Sequence, residues 1–205
     1  KKRAQKGSPE QLVGDFFKSG MDQKRRAALG VEPLAPWLRR IERMSSREDL
    51  ASVLAELHKI GIGALWGCGI DQDAKDSERY ALHVFQDGLS MPDREYYLND
   101  DAESQRVRAA FERYLPKMLS LAGRTPAEAK RDAATILRME TRIARAWMNK
   151  VDRRDIDKTY HKMSVRDLAK LAPHTDWHRY FALSGVKPPG KIIVIILRSF
   201  TDGKL

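Results

Sequence analysis

The sequence predicts a mainly α protein, a helical lobe with one small β-hairpin and a C-terminal strand. Three observations carry this. Apolar residues recur at three- and four-residue spacing along most of the 205 residues, and capping signatures punctuate the stripes. The period changes to two only between Ala64 and Gln86. One fully apolar run, Ile192–Leu197, follows the breaker Pro188-Pro189-Gly190.

Ser8-Pro9-Glu10-Gln11 starts the first helix, with Ser as cap, Pro in the first turn and Gln able to reach back. Leu12, Phe16 and Ala27–Leu29 carry it to about Leu29, weakened by Gly14 and Gly20 and ended by Gly30. Pro33 and Pro36 form a connector, after which Leu34, Leu38, Ile41 and Met44 mark a short helix. Ser45-Ser46-Arg47-Glu48 reads as a capping box for the stripe Leu50, Val53-Leu54, Leu57, which Gly61 closes. Strands are predicted over Ala64–Ile70 and Arg79–Gln86, joined by the polar turn Asp71–Asp76.

Gln86–Asp101, QDGLSMPDREYYLNDD, ends the β segment and opens the long helices. Gly88 and Pro92 break regular structure there, and Pro followed by acids reads as a helix start. Val107, Phe111, Tyr114, Met118 and Leu121 predict the core face of the next helix, which stops at Gly123. Thr125-Pro126-Ala127-Glu128 is a capping box for another, faced by Ala133, Ile136, Met139-Glu140, Ile143 and Trp147. Val151–Lys162 is a charged connector. Ser164 caps a helix that Pro173 stops, and Asp176 opens the last one, which ends at Gly185.

A hydrophobic content of 42% with 32% charged residues describes a globular chain, and no run approaches the ~20 apolar residues of a membrane span. The net charge of +10 favours acidic partners in general. The basic residues are spread in pairs such as Arg25-Arg26 and Arg39-Arg40, which reads as a solvated surface and makes nucleic acid an unlikely partner. The single cysteine, Cys68, excludes a disulfide framework and reads as a small buried residue.

Catalytic patterns are absent from these residues. Zinc on a helix needs two His one turn apart with a base between, as in HExxH. Of His58, His83, His161, His174 and His178, only the last two have that spacing, in HTDWH. Thr175 stands where Glu is needed, and His174 falls before the helix that Asp176 opens. GxSxG, a phosphate loop and CxxC do not occur. Asp93, Glu95, Asp100 and Asp101 could pair as acid and base, or serve as a first-turn charge set and a downstream cap.

QDGLSMPDREYYLND resembles the Q-x-G-L-G-L-P-[DS]-R-[DE]-Y-Y signature of the neprilysin (PepO-like) family of zinc metallopeptidases. Gly14–Asp22 is similar to that family's GDFYxSxMD helix, Leu29–Leu34 to its LGxxPL connector, and Leu65–Asp76 to its hairpin turn. Arg153-Arg154-Asp155 through Tyr160-His161-Lys162-Met163-Ser164 resembles R-R-D-x-x-x-x-Y-N-K-M-[ST]. Asp176-Trp177 with Tyr180-Phe181 resembles DWxxYF. The likeness runs to about residue 185, and 186–205 diverge, so 1–205 is expected to be a single N-terminal helical region of that family.

The resemblance implies a two-lobed peptidase whose helical lobe shapes and covers the peptide cavity. The family's HExxH and NAxY motifs match nothing here, and Glu128 and Asp132, which have the ExxxD spacing, fall in a capping turn with no HExxH before them and read as chance, so a truncation is expected, with no catalytic or metal residue, no cofactor (zinc belongs to the full-length family) and no peptidase activity. The residues that carry the signature, Pro92, Asp93, Arg94, Tyr96, Tyr97, Arg153, Arg154, Asp155, Tyr160, Lys162, Met163 and Trp177, are expected to be structural, with Arg94 and the tyrosines as buried, hydrogen-bonded anchors. A secreted or periplasmic setting is expected, with the missing catalytic lobe, or a peptide or protein, as partner. A second reading is a stand-alone secreted, virulence-type interaction module. An orphaned fragment would instead aggregate through Ile192–Leu197. Nucleic-acid binding is a third, with steep salt dependence as its mark.

Overall fold

The computed structural model describes residues 4–187 and 190–195. These divide into two compact units, one up to Arg40 and one from Ile41 onward. The first holds α1 (Pro9–Met21), α2 (Gln23–Leu29), a 3-10 turn at Glu32–Leu34 and the start of α3 (Ala35–Glu42). Ser8 caps α1 by accepting from the Gln11 N–H at 3.3 Å. The single helix expected to Leu29 is two helices. Asp22 leaves helical geometry and caps α2, accepting from the Arg25 N–H at 2.9 Å, because a short carboxylate competes well for free N–H groups.

The second unit contains α4 (Arg47–Lys59), β1 (Trp66–Asp73), β2 (Asp76–Gln86), α5 (Glu95–Leu98), α6 (Ala102–Leu121), α7 (Pro126–Ala146), α8 (Ile156–Thr159), β3 (His161–Met163), α9 (Val165–Leu171), α10 (Trp177–Ser184) and β4 (Ile192–Val194). The protein is mainly α with a small mixed sheet, as expected. The α4 cap is Ser46 bonded to the Asp49 N–H, not a box with Glu48, and Asp49 answers by accepting from the Ser45 N–H. Thr125 and Glu128 do form the reciprocal box.

The hairpin strands extend further than the sequence suggested. Their turn closes at Ala74-Lys75, where the Asp73 carboxylate accepts from the Lys75 N–H at 3.0 Å and takes over the work of turn residues. The sheet order is β1-β2-β4-β3, with β4 parallel to β2 and antiparallel to β3. β3 overlaps the end of the predicted charged connector. Three residues are too few to show a period, and only pairing with β4 defines the strand. That pairing makes β4 an interior strand, and Ile192, Ile193 and Val194 are fully buried. Ile196 and Leu197 lie outside the described residues.

The main core packs α4, α9, α10 and the end of α7 against the sheet around Trp66, Trp177, Tyr180 and Phe181. Neighbouring rings meet at 5.0–6.0 Å between centroids, several edge-on, as aromatic quadrupoles prefer. A second, smaller cluster centres on Met91, Tyr97 and Ala144, with Tyr96, Val107 and Phe111 against it. The expected core stripe of α6 is only partly right. Tyr114, Met118 and Leu121 are exposed, and Leu115 is the buried residue of that half of the helix.

Candidate functional site

The segment from Gln86 to Asp101 leaves β2, turns back on the hairpin and ends at the Asp101 cap of α6, where the carboxylate accepts from the Ser104 N–H at 2.9 Å. Its turn needs glycine at position 88. That residue has φ +90°, and a Cβ there would lie 2.2 Å from the Leu65 backbone nitrogen. Leu65 itself sits at φ +62°, where the two stretches of backbone pass close together.

Several side chains of the segment then reach specific partners. Gln86 clasps Met148, donating Nε2–H to its carbonyl at 3.3 Å and accepting its N–H at 2.9 Å. Arg94 Nη1 donates to the Trp147 carbonyl. The Tyr97 hydroxyl donates to Glu140 Oε2 at 2.5 Å and accepts from the Met91 N–H at 2.9 Å, while Ser90 donates to Glu140 Oε1 at 2.7 Å. Arg108 donates to the carbonyls of Tyr97 and Asn99, ending α5. The result fastens the hairpin and α5 to the C-terminal end of α7.

Electrostatics follow the burial. Burial, and then the neighbouring Glu140 carboxylate, push the Tyr97 hydroxyl well above the usual tyrosine range, so it remains a donor. Burial works to raise Asp93, but hydrogen bonds from Glu95 and the Arg94 N–H, together with Lys150, outweigh it and hold the carboxyl below its ordinary value. Glu95 is raised by sharing its proton with Asp93 and by burial. The pair is further neutralised by Lys150 and Arg153, at 3.2 and 3.7 Å from Asp93.

The second motif joins the first through that Arg153 contact. Arg154 stays exposed in the 3-10 turn Asp152–Arg154, and Asp155 caps α8 by accepting from the Asp157 N–H at 3.0 Å. Lys162 donates to the buried Asp73 at 2.5 Å, and Lys75 lies over the Tyr160 ring at 4.9 Å. The Lys162 ammonium, with the Lys75 N–H, lowers the Asp73 carboxyl to about 2. Met163 packs on the main core, and Trp177 donates its indole N–H to the Ala172 carbonyl at 3.1 Å. Pro92 is exposed.

Glu140, Lys150, Arg108 and Asp73 were not singled out from sequence. For Glu140 the signal was there, an acid on an otherwise apolar helix face.

The described donors do not suit zinc. No three His, Cys, Asp or Glu side chains converge among the described residues. His58 is held by the Tyr180 hydroxyl at 2.6 Å and the Ala64 carbonyl at 3.2 Å, and His174 accepts from Arg47 at 2.8 Å, one turn outside α10. Cys68 is half-buried, and burial pushes its thiol up, away from nucleophilic character.

The model of Peptidase family M13 matches residues 1–202. The chain belongs to that family. Endothelin-converting enzyme-like 1 of Mus musculus is 30% identical over 187 residues, 83% of this chain and 24% of that protein. Neprilysin-3 of Drosophila melanogaster is 26% identical over 86% of this chain and 24% of its own length. The zinc metalloprotease of Mycobacterium tuberculosis, solved with an inhibitor, superposes with a TM-score of 0.86 at 29% identity, over 97% of this chain and 30% of its own. A PepO of Lactobacillus rhamnosis, at 21% identity and a TM-score of 0.77, shows the shared fold. This M13 chain therefore spans about a quarter of the length of the curated relatives it matches.

Proposed function

We propose that this M13 chain is the catalytically incomplete N-terminal portion of a zinc metalloendopeptidase, the part that shapes and covers the peptide-binding cavity. What supports the reading is the near-complete superposition of 97% of the chain on under a third of a zinc metalloprotease. A second observation fits it. Leu12, Val13, Phe16, Phe17 and Met21 leave an apolar α1 surface in solvent, and Phe16 is 82% exposed. A patch of this kind is an interaction surface. In this reading its partner is the catalytic lobe of the same peptidase. A metal-activated water would come from that lobe, since the described residues supply no converging ligands.

The test is direct. The purified 205-residue chain, dialysed against zinc and then buffer, should retain zinc far below one ion per chain by mass spectrometry. It should also show no chelator-sensitive cleavage of a fluorogenic peptide. One retained zinc together with such cleavage would overturn the reading. The same reading carries an exported setting, secreted or periplasmic, which fractionation of the source cells checks.

A further inference from the structure

Beside the C-terminal end of α7 lies a cavity of about 420 Å3, bordered by the signature network and not filled by it. Its walls come from Arg94, from Arg145 and Trp147 to Asn149, and from the connector that follows, through Asp152, Lys158 and His161. The volume falls in the range of small-ligand sites.

The charges on this wall do not cancel. Asp152 is the one carboxylate among the lining residues, and it is already engaged by the Lys158 ammonium and by Asn149 Nδ2 at 2.8 Å. Arg94 spends Nη1 on the Trp147 carbonyl, and the rest of its fork has no partner among the described residues. Arg145 is exposed at the end of α7. Among the described residues neither guanidinium has a carboxylate within ion-pair distance. The C-terminal pole of α7 is also here, but it amounts to roughly half a negative charge against two full positive ones.

Trp147 backs this wall from the core side. It is 7% exposed, and its indole N–H has no acceptor. A cavity wall that carries two guanidiniums with no carboxylate partner among the described residues asks for an acceptor-rich, negatively charged guest. Trp147 and Met148 supply an apolar surface for its body.

We infer that this cavity binds an oxyanion, a carboxylate or phosphate carried on a small apolar group. Planar guanidinium forks suit both, because each offers two oxygens at matching spacing. The inference holds whether or not the chain is part of a peptidase.

The test is a titration of the 15N-labelled chain, following the Trp147 indole N–H, assigned through backbone connectivity so that no core substitution is needed. Benzoate, phenyl phosphate and inorganic phosphate are the probes, each against sodium chloride at equal ionic strength. A saturable shift of that neighbouring N–H with benzoate only identifies a carboxylate site. One with phenyl phosphate or inorganic phosphate identifies a phosphate site. Arg145→Gln, on the surface, should weaken whichever binds by roughly tenfold, the effect of one charge-assisted hydrogen bond, without altering the spectrum of the free protein elsewhere. The inference is overturned by no saturable shift up to about 10 mM, by an equal shift with chloride, or by unchanged affinity in Arg145→Gln.

Discussion

Tyr97 is the residue on which the signature loop turns, because its one hydroxyl serves a buried acceptor and a buried donor at once. Replacing it by Phe keeps the ring and leaves both Glu140 Oε2 and the Met91 N–H without that partner. Tyr97→Phe should cost about 1–3 kcal/mol, the penalty of unsatisfied buried groups, measured as a shift of the urea midpoint. A change under a few tenths would mean that water replaces the hydroxyl. Asp73 gives a pH-dependent counterpart. Its carboxyl is lowered from 3.8 to about 2, so its contribution is fully present above pH 3.8 and is lost as the pH falls towards 2. Asp73→Asn should therefore lose less stability than the parent across that window, as read from urea midpoints in acid. Equal losses would show that the Lys162 pair does not persist in solution.

At the scale of the element, the helices follow their caps more closely than their stripes. Thr125 and Glu128 satisfy each other's N–H, and Thr125→Ala should destabilise the protein by about 1 kcal/mol. Thermal unfolding followed by circular dichroism reads that loss, and an unchanged midpoint would mean that the turn is held by packing alone. The caps were readable because they are local, set by residues three apart. The α6 face was not. Its period identifies an apolar side, yet Tyr114, Met118 and Leu121 meet solvent, because which part of a stripe is covered depends on neighbours distant in sequence. Pro116, inside α6, also turns up in a helix interior where the pattern gave no warning.

Across the whole molecule, apolar residues fall into two classes that composition cannot separate. Phe181 is fully enclosed among rings of the main core, whereas Phe16 stands in solvent on α1. Phe181→Ala should cost about 3–5 kcal/mol, a transfer and cavity penalty, while Phe16→Ala should change stability by under about 0.5 kcal/mol. Denaturant titration of both variants reads the contrast, and a large loss for Phe16→Ala would show that the α1 face is covered within the chain itself.

The sequence alone determined what is local or repeated in kind. It determined the helical class, the positions of most helix starts, the hairpin, and the signature from Gln86 to Asp101, because glycines, prolines and capping acids act within a few residues of themselves. Tertiary structure decided the pairings. Glu140 meets Tyr97 across 43 positions and Lys162 meets Asp73 across 89. The last strand passes between β2 and β3 when it could have stood as an edge. Those outcomes rest on burial, where a charge or an unpaired N–H must find whichever partner the fold brings near. No spacing along the chain encodes that search.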